Sequence, residues 1–180
     1  MQGFSQPSYG YTFYPYETVY YPYKNSHYNY YNHYMNRSSM PEHPITLQDY
    51  GKEPLVINIE QAAEQNTNYR TTLWTGQHFQ VTLMSIPAGS DIGLEVHPDT
   101  DQFIRVEEGQ GLVQMGDSKE DLDFQSQAHE GYAIIIPAGK WHNLTNNGAK
   151  PLKLYVIYAP PHHPFGTVHP TKAAAMAANS

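Results

Sequence analysis

Two pieces of the chain decide its fold: GSDIGLEVHPDTDQFIRVEEG at residues 89–109 and GYAIIIPAGKWHNLTN at residues 131–146. In the first, Glu95 and His97 are separated by one position, so on a strand they share a face. Pro98-Asp99-Thr100-Asp101 then reads as a turn: proline fixes φ, and the short carboxylates can bond to the backbone. A new strand starts at Gln102. In the second piece, Pro137-Ala138-Gly139 is another turn, and His142 follows it on a fresh strand. Polar, chemistry-bearing side chains thus sit at matching places beside two turns.

Working outward, short apolar or alternating runs are cut by Gly, Pro, Asn and Asp at close spacing, which is β texture. Strands are expected near residues 54–59, 70–75, 79–86, 92–97, 102–107, 111–115, 132–137, 142–145 and 152–158. Glu60-Gln61-Ala62-Ala63-Glu64 are good helix formers and predict a short helix over 60–65. After Pro160-Pro161 comes a histidine- and proline-bearing tail with His162, His163 and His169, then an alanine-rich run in which Thr171 can cap a terminal helix. The expected organisation is a Tyr-rich extension at 1–44, a β-barrel at 45–160 and a tail with a short helix at 161–180. Many short strands argue for a sandwich or barrel.

Composition sets the outer limits. There are 180 residues, enough for one domain with a real core. The absence of cysteine excludes disulfides and thiolate chemistry. A formal charge of -7 gives no basis for a nucleic-acid partner. No apolar run approaches the roughly 20 residues that cross a bilayer, so no membrane partner is expected. Met-Gln-Gly-Phe-Ser does not read as a secretion signal, and a cytoplasmic location is the expectation. Residues 1–44 hold 11 of the 16 tyrosines, balance Glu17 and Glu42 against Lys24 and Arg37, and have almost no aliphatic residues. Such a segment cannot build a packed core and is expected to be disordered.

The spacing of the two quoted pieces resembles the paired motifs of the cupin superfamily. Gly89, five residues, Glu95-Val96-His97, four residues, Gln102, six residues, Gly109 is similar to the first motif. Gly131, five residues, Pro137-Ala138-Gly139, two residues, His142, three residues, Asn146 is similar to the second, and complete at its fixed positions. The resemblance implies an all-β fold, the double-stranded β-helix or jelly-roll barrel. It also implies a metal site, with departures at two positions. The family usually has His-x-His where this chain has Glu95-Val96-His97, and Glu where this chain has Gln102. The implied ligand set is therefore His97, His142, Glu95 and Gln102: two imidazoles, one carboxylate and one amide oxygen. Two His and one carboxylate suit a divalent transition metal, iron, manganese, nickel or zinc. The alternative is a barrel whose histidines only pack. Glu95 argues against it, because an inward carboxylate without a partner costs several kcal/mol, to order of magnitude.

Parity places other side chains. Ile104 and Val106 share the Gln102 face, while Arg105 faces away. On the strand at 79–86 the inward set is either Phe79, Val81 and Leu83 or His78, Gln80 and Thr82. Asp99 and Asp101 read as turn residues, Glu107 and Glu108 as solvated, and the tail histidines as exposed, with closure over the barrel mouth as their other role. Ala133-Ile134-Ile135-Ile136 is a continuous apolar run, and Leu94 and Val96 are apolar opposite Glu95 and His97; an outer cover is needed, from a second sheet or from a partner, and a homodimer is expected.

The resemblance implies a metal-dependent enzyme acting on a small-molecule ligand, of dioxygenase or sugar-isomerase type. The alternatives are a non-catalytic binding cupin, or a structural protein recruited by its Tyr-rich segment, whose composition resembles tyrosine-rich spore coat proteins.

Overall fold

The computed structural model describes residues 43–178. The chain divides into two units, Met1–Glu42 and His43–Ser180. The expected disorder of the Tyr-rich extension, and its part in recruiting the protein, concern residues outside the described ones.

The second unit is antiparallel β. Its strands are β1 (Arg70–Thr75), β2 (Gln80–Ile86), β3 (Asp101–Glu108), β4 (Gln110–Gly116), β5 (Phe124–His129), β6 (Ala133–Ile136), β7 (Trp141–Thr145), β8 (Leu152–Ala159) and β9 (Val168–His169). They form a six-stranded sheet, β6-β3-β8-β2-β1-β9, and a three-stranded sheet, β5-β4-β7. The helices are α1 (Ile59–Gln65) and α2 (Lys172–Ala178). The jelly-roll expectation and the short C-terminal helix hold.

Register lines across the large sheet show how sequence becomes interior. Gln80 pairs with Tyr158, and Tyr158 with Gln102, which pairs with Ile136. The next inward line is Thr82, Val156, Ile104 and Ile134. Below it lie Met84, Leu154 and Val106, then Ile86 and Leu152. All of these are buried. Val113, Ala128 and Leu144 of the small sheet close the same core. The open parity of β2 is therefore resolved: Gln80 and Thr82 face inward. Phe79 is exposed, while Leu83 joins a second cluster on the outside of the sheet.

That second cluster covers the outer face of β1, β2 and β8. Ala62 and Ala63 of α1 pack on Leu73 and Leu83, with Ile45, Leu47, Ile57 and Tyr155 around them. The helix starts where Asn58 caps it, its side chain accepting from the Gln61 N–H at 3.2 Å. Residues 54–58 are extended chain feeding this helix, not the expected strand. They alternate in burial but find no ladder, because their role is to pack on a sheet face. The residues expected to need a cover lie outside it: Ile135 is 68% exposed and Leu94 43%, while Ile134 and Ile136 are buried inward.

Two further expectations are corrected. Residues 92–97 are not a continuous strand; Asp91 and Glu95 make isolated bridges to Thr145 and His142. Gly93 sits between them at φ 87°, a left-handed conformation that breaks the ladder. The strand Phe124–His129 was not expected, since five of its six residues are exposed and its Gln and Ser residues carry no apolar alternation.

The tail does not stand apart from the barrel. β9 pairs with β1, and Ala175 of α2 is in the main core. Thr171 caps α2 as expected, its Oγ accepting from the Ala174 N–H at 3.2 Å. Leu83→Ala is expected to cost about 2–5 kcal/mol in urea unfolding, as a large-to-small change in a packed cluster. Val56→Ala, at a fully exposed position, should stay within about 0.5 kcal/mol.

Candidate metal centre

Backbone pairing brings the candidate ligands together. The Glu95 N–H donates to the His142 carbonyl at 3.0 Å, and the His142 N–H donates back to the Glu95 carbonyl at 2.9 Å. The two residues are thus directly opposite each other. His97 lies two positions beyond Glu95, and its carbonyl accepts from the Gly139 N–H at 2.8 Å. Gly139 adopts φ 82°, so the Pro137-Ala138-Gly139 turn needs glycine there. Asp101 joins the two turns, its carboxylate accepting from the Ala138 N–H at 2.8 Å. It serves the turn, as expected.

The side chains converge. One ligand atom each from Glu95, His97 and His142 lies within 4.8 Å of the others. Glu95 Oε1 stands 3.4 Å from His97 Nε2 and 3.5 Å from His142 Nε2. These distances are long for hydrogen bonds. Both imidazole Nε2 atoms are buried and have no hydrogen-bond partner. His142 Nδ1 is 2.9 Å from the Lys140 carbonyl, which fixes the tautomer with the proton on Nδ1 and a lone pair on Nε2. Burial raises the Glu95 pKa, but the adjacent His142 and His97 more than offset it, and the carboxylate is held well below its usual range. It is anionic at neutral pH.

Gln102 is buried on β3, inward and in register with Tyr158. Its Oε1 also has no partner. Three buried ligand atoms without partners and one ionised carboxylate are a donor set that fits a divalent cation. Asn146, the last position of the second motif, has a different task. Its amide donates to the carbonyls of Ile86 and Lys150, both at 2.8 Å, and ties the end of β2 to the β7–β8 loop.

Several residues near the centre were not singled out in the sequence. Tyr158 is buried, its ring 5.9 Å from that of His97. Arg70 is buried, and its local sequence carries no alternation that marks it. The tail histidines divide. His162 is exposed but packs edge-on at 4.1 Å from the His97 ring. His163, expected to be exposed, is buried. Gln80 explains this: its Nε2 donates to the His163 carbonyl at 2.8 Å, and the His163 N–H donates to Gln80 Oε1 at 3.0 Å. The pair straps residues 160–163 over the barrel. On the outer face, Arg105 points away from the site as expected and meets Glu107 at 3.4 Å. Glu107 is not solvated, and burial raises its pKa.

Burial, and then Arg70, push the His163 pKa down to about 2 from 6.5. The sign follows directly. Above pH 6.5 both folded and unfolded states hold a neutral ring; below it, only the unfolded chain takes the proton. Stability from this group therefore falls as pH drops from 6.5 toward 2. The wild type should lose about 1 kcal/mol of this origin between pH 7.5 and 5.5, and His163→Leu should lack that part of the loss in paired urea titrations.

Comparisons with known proteins agree with this geometry. The Cupin domain family matches residues 82–158. The chain is 59% identical over 142 residues to the uncharacterized protein YrkC of Bacillus subtilis (strain 168), covering 79% of this chain and 76% of that one. It is 40% identical over 114 residues to the uncharacterized protein L612 of Acanthamoeba polyphaga mimivirus, covering 63% and 69%. The crystal structure of BH2720 from Bacillus halodurans superposes with a TM-score of 0.72 at 62% identity, over 72% of this chain and 98% of that one. Among the described residues, no helix is long and apolar enough to cross a membrane.

Proposed function

The chain belongs to the cupin superfamily, and from that premise we propose that Glu95, His97 and His142 hold one divalent transition metal, iron, manganese, nickel or zinc, at which a small organic molecule is transformed. The observation that carries this reading is the pair of orphaned Nε2 atoms flanking an ionised Glu95 inside the barrel. A metal there would supply Lewis acidity and open coordination positions.

The chain's own groups do the rest. The backbone pair between residues 95 and 142 sets ligand spacing before any ion arrives. The Lys140 carbonyl orients His142. Gln102 Oε1 offers a weak fourth donor, or a hydrogen-bond acceptor for whatever binds beside the ion. Ile104, Ile134 and Val156 wall the interior below, and His162 borders the centre at the tail. The reaction class we favour is dioxygenation or sugar-isomerase-like proton transfer. Both need a carboxylate and two imidazoles with room left for substrate, and the fold itself does not select between them.

Metal analysis of the purified full-length protein tests the assignment. His97→Ala and His142→Ala should each abolish stoichiometric binding, while Gln102→Ala should weaken it by about 10-fold, in line with the effect of losing a supporting group. Stoichiometric metal retained in the His142 variant would refute the ligand set.

A further inference from the structure

Arg70 is the buried charge that this reading does not use. It is 3% exposed. It pairs with Met84 in the β1–β2 register, and Met84 lies in the main core, so the Arg70 side chain enters the barrel. Among the described residues, no carboxylate pairs with it, and its Nε is buried without a hydrogen-bond partner. The Tyr69 ring lies 5.6 Å from its guanidinium carbon, and its hydrogen-bonding neighbour is the neutral Tyr158 hydroxyl, which brings no charge to balance it. Taking a guanidinium out of water costs several kcal/mol, to order of magnitude, unless an anion answers it.

The neighbours of Arg70 are neutral donors. Thr82 Oγ1 and His163 Nε2 are also buried without partners. Tyr158 stands among them: it feels Arg70, Glu95 and Thr82, and its ring is 5.0 Å from His163. Burial pushes the Tyr158 hydroxyl up to about 12, so it stays protonated. His163 is neutral, for the reasons given above. Glu95, the inward carboxylate of the triad, is already committed to His97 and His142. One uncompensated cation and two unsatisfied polar atoms therefore meet in one part of the barrel, beside the triad.

We propose that Arg70, assisted by the Thr82 hydroxyl, is the binding subsite for the carboxylate of a small organic acid, whose remaining part reaches toward the Glu95–His97–His142 centre. The substrate class rests on the metal reading for its second half only. In the metal-free protein the charge count selects carboxylate over phosphate. One guanidinium balances one monoanion, whereas a phosphate dianion would leave a charge unpaired in the interior. The fork of the guanidinium matches a planar carboxylate in two parallel hydrogen bonds.

The test uses the full-length protein, metal-free and then loaded with Mn²⁺, at constant ionic strength. The probes are acetate, its uncharged isostere acetamide, and inorganic phosphate; the readouts are the thermal midpoint and the dissociation constant. Acetate is expected to raise the midpoint of the wild type. In the metal-free protein, acetamide and phosphate should bind at least 10-fold more weakly. Arg70→Met should lose acetate affinity at least 10-fold and keep metal uptake. Arg70→Lys, which keeps the charge without the fork, should fall between and serves if the Met variant does not fold. Equal acetate affinity in wild type and variants, no acetate effect on the wild type, or a preference for acetamide or phosphate in the metal-free protein would each overturn the proposal. Metal content is measured on the same samples. A wild type that takes no metal but still prefers acetate keeps the Arg70 subsite and loses the metal centre. One that takes metal but ignores acetate does the reverse.

Discussion

Everything in the barrel depends on the hydrogen-bonded pair between residues 95 and 142. Two N–H···O bonds of 2.9 and 3.0 Å lock the loop after β2 against β7. His97, two positions on, is held beside the pair by its carbonyl, which accepts from the Gly139 N–H at 2.8 Å. The bridge is isolated, so the segment at 91–97 keeps loop geometry on both sides of it. That is how a carboxylate and two imidazoles from segments 47 positions apart in sequence reach the same few ångströms, with Asp101 and Gly139 holding the adjoining turns.

The register lines of the large sheet then divide the interior by polarity. At one end stand Gln80, Tyr158 and Gln102; at the other, Ile86 and Leu152. The apolar end provides stability through burial, about 25 cal/mol per Å² of apolar surface. The polar end buries groups whose partners are incomplete: Gln102 Oε1, Thr82 Oγ1 and two imidazole nitrogens. Buried polar groups are nearly always bonded, so this concentration of exceptions marks one place in the molecule where a ligand would complete the structure.

Much of this was legible in the residues. Turn chemistry at Pro98 and at Pro137-Ala138-Gly139, with the two-residue step from Glu95 to His97, was enough for the fold and the triad. Thr171 as a cap was readable as well, since its interaction is local. What stayed hidden was set by long-range packing. β5 pairs with β4 on a face open to water, so its sequence carries no apolar period. Residues 54–58 have the alternation of a strand but spend it on a sheet face. His163 is buried only because Gln80, 83 positions away, bonds to its backbone, and no local pattern encodes that. Arg70 was missed for a related reason: an arginine between tyrosine and threonine reads as a surface residue until the register shows Met84 opposite it.

The charges inside the barrel link the two proposed sites. Glu95 is ionised, Arg70 is a permanent cation, and the neighbouring Tyr158 and His163 are neutral. Without a metal the two charges sum to zero. They remain separate, however, since Glu95 turns to the imidazoles and not to Arg70. A divalent ion on the triad would raise the interior to a net charge of about two positive units, a value that low-dielectric surroundings resist. An anionic ligand would relieve that charge where a neutral one would not. Metal and carboxylate are therefore expected to favour each other's binding, and by linkage the coupling must be equal in both directions. Gln102 fits the same logic. A second carboxylate at that position would neutralise the ion without substrate, whereas an amide leaves the charge for the substrate to answer.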